Sequence, residues 1–173
     1  MLSWLRVYIL YRSAFPRSER KPFSMILKMH LRGKTDVWYC RRGNAFAGFA
    51  TTINDENLIL LDYLAVPKGS RGKGCGTAML DALKAAYPGK GLFVEIESPF
   101  EDVPNREERM RRRQFYIRSG LMPVRVMAAV FGVKMELLCH NCHVDFERYH
   151  AFYHDNYSPW AADHILPETH PEA

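Results

Sequence analysis

Apolar residues recur every three to four positions near both ends of the chain, and run at strand spacing through its middle. Leu2, Leu5, Ile9 and Leu10 sit at helical spacing and stop near Phe15-Pro16, which predicts a first helix. Phe23, Ile26, Leu27 and Leu31 predict a second, between Pro22 and a stop at Gly33. Thr35–Arg41 and Ala45–Ile53 read as strands joined by the turn Arg42-Gly43-Asn44, hence a hairpin. After a second turn at Asn54–Asn57, Leu58–Val66 is apolar on both faces except at Asp62, the pattern of a strand covered on both sides. Thr77–Tyr87 carries Met79, Leu80 and Leu83 on one helical face and ends at Pro88-Gly89, and Gly91–Glu97 is a strand again, completing a βαβ unit. A charged helix reaches about Ser119, Pro123–Met127 is extended, Val133–Leu138 is a last strand, and Val144–Tyr157 is helical. The expectation is one α+β domain over residues 1–173, with 1–33 a helical segment and 158–173 a flexible tail.

Composition narrows the class. With 173 residues, 47% hydrophobic and 25% charged, the chain is long and apolar enough to bury one substantial core. No apolar run approaches the ~18–20 residues of a membrane helix. Met1–Leu10 contains Arg6 and lacks a small-residue cleavage site, so it does not read as a signal peptide. Four cysteines without an export signal read as reduced thiols, which points to the cytoplasm. The net charge of +5 favours an anionic ligand but does not say which.

The sharpest local feature is Arg71-Gly72-Lys73-Gly74-Cys75-Gly76-Thr77, between a buried strand and a helix. Glycines let the backbone approach a ligand, and the helix that follows offers unpaired N–H groups and its positive dipole end. Those are the requirements for holding a pyrophosphate; the alternative is a tight strand-to-helix turn with solvated basic residues. A nucleotide-triphosphatase loop is ruled out because Cys75 follows Gly74 where Lys should stand. The dinucleotide fingerprint fails because Thr77 or Met79 takes the place of its third glycine.

What remains, Arg-x-x-Gly-x-Gly, resembles the acetyl-CoA pyrophosphate loop of the GNAT superfamily of N-acetyltransferases. Leu64-Ala65-Val66 is similar to the strand that precedes that loop, and Val94-Glu95-Ile96-Glu97 to the acidic end of the strand after it. The run Phe115-Tyr116-Ile117-Arg118-Ser119-Gly120-Leu121 is similar to the superfamily's Tyr-x-x-x-Gly-[Phe/Leu]. The order holds from about Ala45 to Leu138, and Phe15–Arg20 is similar to a segment of a bacterial subgroup.

The resemblance implies a three-layer α+β fold whose mixed, mostly antiparallel central sheet carries helices on both faces. In it two parallel strands, here Leu58–Val66 and Gly91–Glu97, splay apart to admit pantetheine. It implies acetyl-CoA as acyl donor and a primary amine, on a small molecule or a protein, as acceptor, attacking directly in a ternary complex. Backbone groups of Leu64, Ala65 and Val66 would meet pantetheine, one N–H acting as an oxyanion donor worth ~3–4 kcal/mol. Gly72, Gly74, Gly76 and Thr77 would hold the pyrophosphate, with Arg71 and Lys73 as charged partners; Cys75 belongs to the loop with its thiol packed inward. Tyr116 would protonate the departing thiolate, a phenol of ordinary pKa ~10 being protonated at neutral pH.

Strand alternation puts Glu95 and Glu97 on one face, where either could take the amine's proton through water, attract a cationic acceptor, or serve as a structural partner. Asp62 must find partners if buried, and would serve the acceptor or cap a loop. Glu19 and Arg20, on the helical segment 1–33, are the acceptor-side contacts, and the acidic residues Glu19, Asp62, Glu95 and Glu97 fit a small cationic amine or a protein amine. Arg109 stands near a place where many relatives carry Asn, and the loop Ser98–Pro104 is long. Two other readings compete: an acyl-CoA-binding or regulatory protein of the same fold, and a basic nucleic-acid-binding domain. The second would use Arg106, Arg109, Arg111, Arg112, Arg113 and Arg118, but Glu107 and Glu108 interrupt that run and helical rotation spreads it. Cys139, Cys142, His150 and His154 have zinc-like order with too short a gap, so no metal is assigned. A homodimer is compatible with this reading, and a membrane partner is not expected.

Overall fold

Gly43 takes the left-handed φ of +58° that a tight hairpin needs, and around it β1 (Thr35–Arg42) pairs antiparallel with β2 (Ala45–Asn54). The structure, a computed structural model, describes residues 2–171. It is an α+β fold with a mixed seven-stranded sheet and, among the described residues, six helices. The chain divides into two compact units inside β3 (Leu58–Ala65): the first takes the residues up to Asn54 and Leu61–Pro88, the second Asp55–Leu60 and the residues from Gly89 onward.

In the first unit the strand order is β1-β2-β3, and α1 (Leu2–Ala14), α2 (Phe23–Leu31) and α3 (Cys75–Ala86) accompany it. Its core gathers Val7, Leu10 and Tyr11 of α1, Ile26 of α2, Phe49 of β2, and Tyr63 and Ala65 of β3. The first helix forms where periodicity places it, but on a different face: Leu5 and Ile9 are exposed, and Val7, Leu10 and Tyr11 are buried. The reason is aromatic. The Tyr11 hydroxyl donates to the Lys21 carbonyl at 2.9 Å, so this polar-tipped ring can sit in the core and turn the helix toward Tyr63 and Phe23. Met79, Leu80 and Leu83 of α3 are buried as their spacing predicts.

The second unit begins with the first residues of β3. Gly91 N–H donates to the Asn57 carbonyl at 3.0 Å, joining the starts of β3 and β4 (Gly91–Glu97), so the two strands are parallel. Then come α4 (Arg106–Arg118), β5 (Met122–Val130), β6 (Val133–His140), α5 (Phe146–Asn156) and, later, β7 (Ile165–Glu168), with strand order β3-β4-β6-β5-β7. Residues 158–173, expected to fray, are built into the fold as far as 171; residues 172 and 173 lie outside those described. Ser158 caps α6 (Pro159–Ala162) by accepting the Ala161 N–H, and β7 (Ile165–Glu168) pairs antiparallel with β5. Ile165 is 2% exposed, and buried His170 meets the Phe100 ring. A four-residue edge strand containing Pro167 is too short to show a period, which is why the pattern missed it.

Candidate active site

The glycine loop leaves β3 through a short turn at Lys68–Ser70 and enters α3 through Gly74, whose φ of +80° is left-handed; Gly72 has φ +71°. An added Cβ at either glycine would meet nothing within 4 Å, so there the chain borders open space. The first helical bond runs from Ala78 N–H to the Gly74 carbonyl, leaving the Cys75, Gly76 and Thr77 amides as the helix's unmatched N-terminal donors. Arg71 Nε donates to the Val66 carbonyl at 3.2 Å and Lys73 Nζ to the Gly69 carbonyl at 2.7 Å, so both cations brace the loop they belong to. Their other N–H groups remain for an anion. Cys75 is buried beside Cys40, whose thiol is raised by burial first and by that contact second. What the loop offers is therefore main chain and positive charge.

Leu64, Ala65 and Val66 lead into this loop. Here the structure adds a residue that the sequence reading missed. A Cβ on Gly48 of β2 would stand 2.7 Å from the Ala65 carbonyl oxygen and 3.4 Å from Val66, and the β1–β2 register shifts beside it, between Cys40 and Arg41. The available signal was a lone glycine inside an otherwise regular strand, which marks a bulge or close approach.

Asp62, the one carboxylate of β3, is ion-paired with Lys21, which settles how it is buried. The segment carrying Glu19, Arg20 and Lys21 is fastened further: the Tyr63 hydroxyl donates to the Glu19 carbonyl (3.0 Å) and accepts the Lys21 N–H (3.1 Å). Burial pushes the Tyr11 phenol up to about 12 and the Tyr63 phenol higher still. Arg20 reaches the Arg12 carbonyl with one N–H at 3.5 Å.

In the second unit, Tyr116 is buried near the end of α4, and burial holds its phenol up at about 12, with Arg112 acting weakly against that. It is protonated across the neutral range. The Tyr153 hydroxyl donates to Glu95 Oε2 at 2.9 Å, and Tyr149, raised by burial and then by the Glu95 charge, lies beside it. Glu97 is held differently. Arg109 Nη2 donates to its Oε1 at 2.7 Å and Arg112 Nη1 to its Oε2 at 3.1 Å, so both oxygens are engaged. Arg109 also donates to the Ser98 carbonyl (3.0 Å) and reaches Glu101 (3.3 Å), anchoring the long loop after β4.

The remaining arginines of α4 divide: Arg106, Arg111 and Arg118 are exposed, Arg111 beside exposed Glu107, whereas Arg113 turns inward. Arg113 grips fully buried Glu136 in a two-pronged bond (2.8 and 3.0 Å), and Arg106 donates to the Pro99 carbonyl. Cys139 is raised by a hydrogen bond to Cys142 and by burial, and Cys142 is lowered by the same bond. Among the described residues no three His, Cys, Asp or Glu side chains converge as a metal would require, and no helix is long and apolar enough to cross a membrane.

The model of the acetyltransferase (GNAT) family matches residues 4–107. The chain is similar to a solved structure described as an acetyltransferase of the GNAT family from Bacteroides thetaiotaomicron: 19% identity, 93% of each chain covered, TM-score 0.73. It is also similar to an acetyltransferase of Bacillus subtilis in complex with CoA (13% identity, 69% of this chain and 83% of that one, TM-score 0.54). A GNAT family acetyltransferase from Elizabethkingia anophelis with acetyl-CoA bound is 12% identical, with 74% and 95% covered and a TM-score of 0.54. At these identities the likeness is one of fold. No curated protein matches.

Proposed function

The chain belongs to the GNAT acetyltransferase family, and on that premise we propose that it transfers an acetyl group from acetyl-CoA to a primary amine in a ternary complex. The observation that carries this reading is the Gly72–Thr77 arch: left-handed glycines beside open space, unmatched helix-end amides, and Arg71 and Lys73 alongside. A pyrophosphate satisfies such a set, being a doubly charged acceptor of several N–H bonds.

In the proposed chemistry the acceptor nitrogen attacks the thioester carbonyl and the C–N bond forms. The C–S bond then breaks, and the sulfur leaves with a proton. Backbone groups of Leu64, Ala65 and Val66 hold pantetheine, and one N–H there takes the charge developing on the carbonyl oxygen. Tyr116 supplies the proton to sulfur, a role suited to a phenol raised to about 12. The amine's proton passes to water or to Glu95. Glu97, engaged through both oxygens, is assigned to holding Arg109 and Arg112 instead. Asp62 positions Lys21, and Glu19 and Arg20 lie on the acceptor side.

A thermal-shift titration with acetyl-CoA, followed by thiol release with a panel of amines, tests this. A rise in melting temperature is expected, and no response at millimolar acetyl-CoA overturns the proposal. Tyr116→Phe should lower kcat by ~10²-fold or more while calorimetry finds the acetyl-CoA affinity within about twofold. Equal turnover by the variant removes Tyr116 from the mechanism. A chain that binds acetyl-CoA and acetylates no amine is the acyl-CoA-binding reading.

A further inference from the structure

In the first unit a cleft of about 560 Å³ is lined by four cations, Arg12, Arg17, Arg20 and Lys21. Its other walls come from Tyr8, Tyr11, Phe23 and Pro22, and no carboxylate among the described residues lines it. That volume is the size of a site for a small organic molecule. Lys21 is neutralised by Asp62. The three arginines have no ion pair among the described residues: Arg12 lies over the Tyr8 ring and donates to its hydroxyl, and Arg20 reaches a backbone carbonyl at 3.5 Å. Arg20 Nε is buried with no acceptor among the described residues. Several like charges around one concavity repel each other, and an orphaned guanidinium donor is costly, so the arrangement is short of an anion.

The backbone that carries Arg20 and Lys21 is also held in place. Tyr11 fastens the Lys21 carbonyl, and Tyr63 fastens both the Lys21 N–H and the Glu19 carbonyl, so the segment bearing Arg20 is fixed from both sides. Fixed donors lose little freedom when a ligand binds. Through Lys21 and Asp62 the cleft is tied to β3, two residues before Leu64.

We propose that this cleft receives an oxyanion, carboxylate or phosphate, carried by the acceptor amine. The substrate is then an amino-acid-like or phosphoamine acceptor with an apolar portion against the tyrosines, in place of the simple cationic amine that the acidic residues suggested. The inference rests on the acetyl-transfer reading and names its acceptor class.

The test measures binding apart from chemistry. Calorimetry on the full chain saturated with CoA, which cannot react, compares amino acids with their amides, and phosphoethanolamine with ethanolamine. The charged member of at least one pair should bind about tenfold tighter or more, and the responding pair distinguishes carboxylate from phosphate. Arg17→Gln/Arg20→Gln should abolish the preference while the acetyl-CoA melting shift persists; Arg17→Gln alone serves if the double variant fails to fold. Equal binding within both pairs overturns the inference, as does a preference that survives the variant. Thiol release with the same panel reads the other claim. Anion preference without thiol release overturns acetyl transfer and leaves the cleft's specificity standing, and thiol release without anion preference does the reverse.

Discussion

Gly48 makes a single-atom argument. A methyl group there meets the Ala65 carbonyl oxygen at 2.7 Å, backbone against a strand, so the segment Leu64–Val66 must shift to admit it. Gly48→Ala is therefore expected to raise the KM for acetyl-CoA severalfold, and to do so more than it lowers the melting temperature; steady-state kinetics with a thermal melt separates the two effects. An unchanged KM would mean that this stretch of backbone does not touch the cofactor. Gly72 and Gly74 are different, because there the requirement is the left-handed φ and the space beside them is open. The loop's spelling was enough to single them out, whereas Gly48 depended on a neighbour distant in sequence.

Elements show the same division. The α4 arginines look like a stripe in the sequence, yet Arg109, Arg112 and Arg113 close on Glu97 and Glu136, residues of β4 and β6. Arg109→Ala would leave Glu97, whose side chain is 8% exposed, with Arg112 as its cation, and should destabilise by ~1.5–3 kcal/mol in urea denaturation. A loss below ~1 kcal/mol, the range of a surface pair, would show the pair to be solvated. At the other end of the chain, β7 separates a built element from a fraying tail. Ile165 is 2% exposed and Leu166 59%. Ile165→Ala should cost ~2–4 kcal/mol, and Leu166→Ala no more than ~0.5 kcal/mol; equal, negligible effects in the same denaturation series would return this segment to the tail.

At the scale of the whole molecule, buried and half-buried tyrosines set the alkaline limit of stability. Tyr11, Tyr87 and Tyr116 are each raised to about 12, mainly by burial, and Tyr63 and Tyr149 are raised further. Between the unfolded value of ~10 and the folded one, the unfolded chain releases protons that the folded one keeps. Stability is therefore intact below pH ~10 and falls above it, by up to ~1.4 kcal/mol per pH unit for a fully buried group and by less for half-buried Tyr87, where solvent screens the charge. Urea midpoints should hold level to pH 9 and drop steeply by pH 11, and a level midpoint at pH 11 would contradict this. Much of the rest was legible from the sequence, because hairpin, βαβ unit and glycine loop each arise from residues adjacent in the chain. The sequence alone determined the strands and helices from Thr35 to Asn156, the glycine loop between β3 and α3, and the likeness to one acetyltransferase family. Only the tertiary structure decided which face α1 buries, that Glu97 is spent on arginines, that Ile165–Glu168 forms a strand, and that four cations line one cleft. The physical reason is that periodicity reports what one element needs, whereas partners for charge, close approach and edge pairing are supplied by residues far away in the chain.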